Sequence, residues 1–178
     1  MAELEYPIAV VGEEQSLTAF FKLVASPGDT DMLLDVKRRY SIEGRQVVAS
    51  FRFHSFLRWD YQKPEFFQNV RVVVVLFDFR QKESLDAALQ RREQCAALIV
   101  PSLAVFITVG LNADEREVAY KKLHKFDGEG FLCPPLCLCN DPTNDLVDVE
   151  EAVRKAVCAL NPSPAPSNEA PQKDCVVV

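Results

Sequence analysis

Val70 to Phe77, VRVVVVLF, decides the fold. The run is β-branched and apolar at positions that point both ways, and a strand apolar on both faces has to be covered by helices on both faces. It is therefore expected at the centre of a sheet. Downstream, the sequence predicts a long helix from about Lys82 to Ile99, a strand from Leu103 to Val109 and a helix from about Glu115 to Phe126. A short strand near Leu136 to Leu138 follows, then a last helix whose Val149, Ala152, Val153, Ala156, Val157 and Leu160 form an apolar stripe. Upstream, the apolar run Pro7 to Val11 stops at Gly12, and a helical pattern runs through Leu17, Phe20, Phe21 and Val24 until Pro27-Gly28 ends it. Between these lies a hairpin, Met32 to Ser41 and Gln46 to Phe53 around Glu43-Gly44, with Val47, Ala49, Phe51 and Phe53 on one face of its second arm and Val48, Ser50, Arg52 and His54 on the other. Strands alternating with helices give an α/β class with a mostly parallel sheet.

The chain has 178 residues, enough for one domain with a sizeable core. The alternating pattern occupies residues 1–160, and 161–178 reads as a tail, since Asn161-Pro162-Ser163-Pro164-Ala165-Pro166-Ser167-Asn168 cannot propagate a helix. A net charge of -6 argues against nucleic acid as the main partner, because phosphate contacts need clustered cations. The densest basic run, Lys37-Arg38-Arg39, falls in a strand and reads as a solvated edge. Met1 to Glu5 carries acids and no apolar core, so no secretory signal is expected, and no run approaches the ~20 apolar residues of a spanning helix. A cytoplasmic protein with reduced cysteines is the expectation.

Several passages resemble the Ras and Rab small GTPases. Val73 to Leu85, VVVLFDFRQKESL, is similar to their central strand, its aspartate turn and the Glu-Ser-aliphatic opening of the next helix. Val105 to Val118, VFITVGLNADEREV, is similar to the strand and guanine-recognition loop that follow. The likeness extends in order from Tyr6 to Leu160. It implies the three-layer P-loop fold of that family: a six-stranded, mostly parallel sheet with one antiparallel edge strand and helices on both faces. It also implies GTP or GDP with magnesium as the group to look for.

The chemistry of that family is largely missing. A phosphate-binding loop, GxxxxGK[ST], uses glycines for close approach, a lysine on the β- and γ-phosphates and a hydroxyl on magnesium. The matching window, Gly12 to Ala19, keeps Gly12 alone, with Leu17, Thr18 and Ala19 at the last three positions. A register shorter by two residues brings Gln15 and Ser16 there and still supplies no lysine. Glu13 and Glu14 add negative charge. One charge pair at 4 Å is worth ~4 kcal/mol at an effective dielectric of 20. Half of that, about 2 kcal/mol, counted once for the lost lysine and once for one glutamate, comes to about 4 kcal/mol, roughly a thousandfold in affinity.

Where the family's second switch has Asp-x-x-Gly-Gln, the chain has Arg52-Phe53-His54-Ser55-Phe56, so a cation replaces the metal-side acid and a phenyl ring the water-orienting amide. Thr30 lies near the first-switch threonine. The guanine loop reads Leu111-Asn112-Ala113-Asp114, keeping only the aspartate, which serves equally as a cap for the helix expected at Glu115. The later Ser-Ala-Lys loop is replaced by Cys139-Asn140-Asp141. Gly12 and Asp114 are thus the vestigial nucleotide positions, and no catalytic residue is assigned.

Three clusters complete the reading. Cys133, Cys137 and Cys139 invite a metal, but a structural zinc wants four ligands in spaced pairs, and His54 and His124 are far off, so buried thiols are expected and no metal site. Phe51 to Phe67, FRFHSFLRWDYQKPEFF, mixes core aromatics with Phe56, Arg58, Trp59 and Tyr61 in the switch-like loop. These four either form a partner-binding patch or plug the space of a nucleotide. The last residues, Cys175-Val176-Val177-Val178, fit the CaaX prenylation pattern, with Lys173 the lone cation in the spacer. A prenyltransferase and a prenyl-binding carrier are then expected partners, and one lipid gives reversible residence on a cytoplasmic membrane face.

The functional expectation is a prenylated, non-hydrolysing adaptor for a protein effector, associated by family likeness with vesicle or organelle traffic. The alternative is a divergent GTPase that still holds GTP or GDP. Replacing Cys175 by Ser should move the protein from a mixed membrane and soluble distribution to the soluble fraction of fractionated cells. Unchanged partitioning would remove the lipid anchor from the account.

Overall fold

The computed structural model describes residues 4–31, 35–42, 44–56, 67–81, 83–99, 105–114, 121 and 135–161. Six strands form one sheet: β1 (Leu4–Gly12), β2 (Val36–Ile42), β3 (Arg45–Ser55), β4 (Val72–Asp78), β5 (Val105–Leu111) and β6 (Leu136–Cys137). The helices among the described residues are α1 (Glu14–Val24), α2 (Ser84–Leu98) and α3 (Pro142–Leu160). The strand order is β2-β3-β1-β4-β5-β6. Edge strand β2 runs antiparallel to β3, and every other neighbouring pair is parallel. The chain is therefore α/β with a mixed six-stranded sheet.

All seven residues of β4 are buried, and their alternation builds both cores. Val72, Val74 and Leu76 point into the layer that holds Leu17, Phe20 and Val24 of α1 and Val149, Ala152, Val153, Ala156 and Val157 of α3. Val73, Val75 and Phe77 point into the other layer, beside Ala88 and Cys95 of α2. Each fully buried Val, Leu or Phe is worth about 1.5–3 kcal/mol against exposure, so these two clusters dominate the stability of the fold.

The alternation expected for β3 holds: Val47, Ala49, Phe51 and Phe53 enter the α1–α3 layer, where Phe51 meets Phe20 edge-on at 6.4 Å and Phe53 meets Phe21 at 5.4 Å. In the β2–β3 turn Gly44 has φ 75, a left-handed conformation that glycine adopts without strain. Of the basic run, Lys37 and Arg39 are exposed on the edge strand. Lys37 pairs with Glu5 at 3.1 Å, and Arg38 turns inward to Glu150 of α3 at 3.1 Å. Beside it, Tyr40 has its phenol pushed above the usual value by burial and by the Glu150 charge.

Several boundaries shift by a few residues from the sequence expectation: β4 starts at Val72 rather than Val70, α2 at Ser84 rather than Lys82, and β5 ends at Leu111 rather than Val109. β2 starts at Val36, four residues after the expected Met32, and residues 32–34 lie outside the described set. α3 starts at Pro142, well before its apolar stripe, because the chain supplies a complete start signal there. Asp141 caps the helix by accepting from the Asn144 N–H, Pro142 occupies the first turn, and the buried Asp145 carboxylate accepts from the N–H groups of Cys139 and Asp141. The helix expected from Glu115 to Phe126 and the tail beyond Asn161 fall outside the described residues.

Gly110 in β5 faces the rings of Phe77 and Phe79, which pack edge-on at 4.8 Å; a methyl group there would run into Phe77 Cζ and Phe79 Cε2. Gly110→Ala should therefore lower stability by about 1–3 kcal/mol through overpacking, measured as a drop in the urea midpoint at unchanged m-value. An unchanged midpoint would mean that the two rings move aside at no cost.

Candidate functional site

In open parallel sheets, ligands bind beyond the carboxyl ends of the strands, where backbone groups leave the ladder and helices begin. Here a crevice of about 530 Å³ opens at those ends, between the start of α1 and the first turns of α2. Glu13, Glu14, Gln15 and Thr18 form its α1 wall, Gln81, Ala87 and Arg91 its α2 wall, and Phe56 lies between. Phe56 is fixed by its position: β3 pairs Ser55 with Gly12, and the next N–H, that of Phe56, donates to the Gly12 carbonyl at 2.9 Å. The Arg91 guanidinium then stacks over the Phe56 ring at 5.7 Å.

The turn that would cradle a phosphate is a single residue. β1 ends at Gly12 and α1 begins at Glu14, so only Glu13 separates strand from helix, and the rest of the window is already helical. Leu17 is buried in the core, and the Thr18 hydroxyl donates to the Glu14 carbonyl at 2.9 Å. Ser16, the hydroxyl of the shorter register, is buried as well. Gly12 is required for another reason: a Cβ there would sit 2.9 Å from Leu76 Cβ, so its missing side chain admits β4. A wrapped phosphate needs several consecutive N–H groups turned inward and a cation. This turn is too short to wrap a phosphate and carries no cation, and its two acids repel polyanions, so its residues do not fit a magnesium nucleoside triphosphate.

The second-switch positions are engaged elsewhere. Arg52 pairs with Asp35 at 3.0 Å, and the same carboxylate accepts from the Ser50 hydroxyl at 3.0 Å, so the cation that stands where a metal-side acid was sought stitches β3 to the start of β2. His54 is half-buried in β3, and Thr30 is exposed.

A polar cluster that the sequence reading did not single out as a site holds the ends of β4 and β5 together. The Asp78 carboxylate, buried at 3 % exposure, accepts from the Arg80 N–H at 2.9 Å and guanidinium down to 2.7 Å, and from the Asn112 amide at 2.8 Å. The Asp78 N–H donates to the Ser84 hydroxyl at 3.0 Å, which ties the strand to the first residue of α2. Burial disfavours the Asp78 carboxylate, but the Arg80 side chain and N–H and the Asn112 amide outweigh it and hold the group below the usual aspartate range. Asn112 takes a left-handed φ of 55, which an asparagine tolerates, to reach Asp78. Two residues on, Asp114 is exposed, and its charge is felt by Arg80.

Gly12 and Asp114, the two positions where remnants of a nucleotide site were expected, lie at the ends of different strands, β1 and β5. Phe56 is brought to the crevice; Arg58, Trp59, Tyr61 and Cys175 fall outside the described residues. Cys139-Asn140-Asp141 forms the run into α3, beside a smaller cavity of about 210 Å³ lined by Ala19, Lys22, Leu111, Asn140 and Asp145. Cys133 lies outside the described residues; Cys137 is buried. Among the described residues no group of three His, Cys, Asp or Glu side chains gathers as metal ligands. Cys95, in the α2 core, has its thiol pushed up to about 12 by burial and stays neutral. Among the described residues no helix is long and apolar enough to cross a membrane. Arg91 and Gln81 had no local sequence signal, because their place in the crevice depends on how α2 lies across the sheet. No protein-family model matches the chain, and no curated protein matches it.

Because the folded Asp78 pKa is depressed, its contribution is complete above the unfolded value of about 3.9 and is lost as pH falls through the lower folded value. Asp78→Asn should cost about 1–3 kcal/mol near neutrality, and the gap between variant and native chain should close in acid below that range. A gap independent of pH would show that the charge on Asp78 is not what holds the two strand ends.

Proposed function

We propose that the chain is a small-GTPase-like protein that has lost nucleotide chemistry and serves as a protein-binding adaptor. The observation that carries this reading is the one-residue turn at Glu13, which puts two carboxylates and no wrapped loop at the place where a triphosphate would lie. The sheet order β2-β3-β1-β4-β5-β6, with its antiparallel edge and helices on both faces, supports the GTPase likeness drawn from Val73 to Leu85 and Val105 to Val118. Arg52 at the metal-side position, committed to Asp35, supports the loss of hydrolysis.

In this reading the effector is met by Phe56 at the crevice, and Arg58, Trp59 and Tyr61, which lie outside the described residues, are proposed as further contacts on the strength of their residue types alone. Aromatic side chains with arginine supply large contact area at low entropic cost, which is the usual chemistry of interface anchors. A surface with no nucleotide to release has one state, so binding is constitutive and is regulated by abundance or by placement. Placement is the role proposed for Cys175: a prenyl group would hold the protein reversibly on a cytoplasmic membrane face, where a carrier protein can extract it.

The test is nucleotide content. Protein purified without added nucleotide should release no stoichiometric GDP or GTP on heating, and magnesium with GTP should leave its melting temperature unchanged. A ligand at a hundred times its Kd would add about 2.7 kcal/mol, a shift of several degrees. One equivalent of bound nucleotide, or a saturable shift of that size, would replace the adaptor by a divergent nucleotide switch.

A further inference from the structure

The crevice is charged unevenly. On its α1 wall Glu13 and Glu14 are both exposed, and Glu13 makes no capping bond to the helix it precedes. No cation among the described residues pairs with either of them. On the α2 wall Arg91 is engaged twice, over the Phe56 ring and by donating to Gln94 Oε1 at 2.9 Å. Both of these partners are neutral, so Arg91 keeps its charge but is drawn against the Phe56 ring and along α2, while the two carboxylates stand exposed on the facing wall. The apolar part of the lining is Phe56, between the walls, and Ala87 on the α2 wall.

An anion entering here meets two carboxylates and a cation already committed. A purely apolar ligand leaves both carboxylates to be desolvated without a partner, which is costly. A long cationic side chain suits both features, since its methylene stem covers apolar surface while its head stays with the acids. We infer that the crevice receives a lysine or arginine side chain of a protein partner, its stem over Phe56 and Ala87 and its head at Glu13 and Glu14. The inference rests on the adaptor reading of this site and names the chemistry of the partner. The volume, about 530 Å³, admits one such side chain with parts of its neighbours. A net charge of -6 draws a basic segment toward the molecule before contact.

The test uses the full chain labelled with nitrogen-15 and two short capped peptides, one with two arginines and one identical except for neutral citrulline at both places. The arginine peptide should shift the amide signals of Glu13, Glu14, Thr18, Phe56 and Gln81, and the citrulline peptide should bind more weakly by a factor of about two to thirty. The double variant E13Q/E14Q should weaken the arginine peptide by about the same factor at an unchanged melting temperature. If the double variant melts lower, E13Q and E14Q taken singly make the same comparison. Equal binding of the two peptides, signals that move elsewhere on the surface, or affinity unchanged by E13Q/E14Q overturns the inference, as does no response to either peptide, and these results leave the adaptor reading standing. Movement of the same signals by magnesium with GTP overturns both.

Discussion

A strand that must be dry on both faces sets the plan of this molecule. β4 is buried at every position, and no single layer of helices can satisfy it. One set of its side chains requires α1 and α3, and the other requires α2, so the sandwich of helix, sheet and helix follows from a run of valines. The parallel pairing follows in turn, because a helix lying on the sheet between two strands returns the chain to the end where it started.

The same strand reaches into the site. Leu76 of β4 presses so closely on Gly12 that no side chain can stand there, and this contact brings β1 to its end against the neighbouring strand. Helix α1 then begins after one residue and sinks Leu17 and Phe20 into the core at once. The second turn follows without a break, and its Phe20 packs edge-on against Phe51 of β3. At this corner the chain thus passes from strand to packed helix through Glu13 alone.

Most of the architecture was legible because it rests on periodicities. Alternation in β3, the unbroken apolar run of β4 and the stripe on α3 are properties of neighbouring residues, and each appears where the pattern places it. The start of α3 was also written in the chain, as Asp141, Pro142 and Asp145, although the apolar stripe by which the helix was recognised begins only at Val149. What was not legible depends on distant parts of the chain meeting. Asp78 reaches Asn112 across 34 positions, and Arg38 reaches Glu150 across 112. Helix α2 shows why: among its residues only Ser84, Ala88 and Cys95 are fully buried, and Arg91 and Arg92 lie over the rings of Phe56 and Phe106. An arginine that packs on an aromatic ring looks like a solvent-facing residue in any count of apolar positions.

The two charged groups at the strand ends divide the labour. Asp78 is buried, fully bonded and tied to Arg80 and Asn112, so its charge is consumed in joining β4 to β5 and to the start of α2. Glu13 and Glu14 lie at the end of the adjacent strand β1, exposed, and the Glu13 side chain makes no capping bond to the helix it precedes. A carboxylate at a helix start gains only a few tenths to one kcal/mol from the dipole, about what a surface charge can lose again to screening. Such groups cost the fold little and hold it weakly. Their interaction free energy therefore remains available to a partner, whereas that of Asp78 is already committed to the fold.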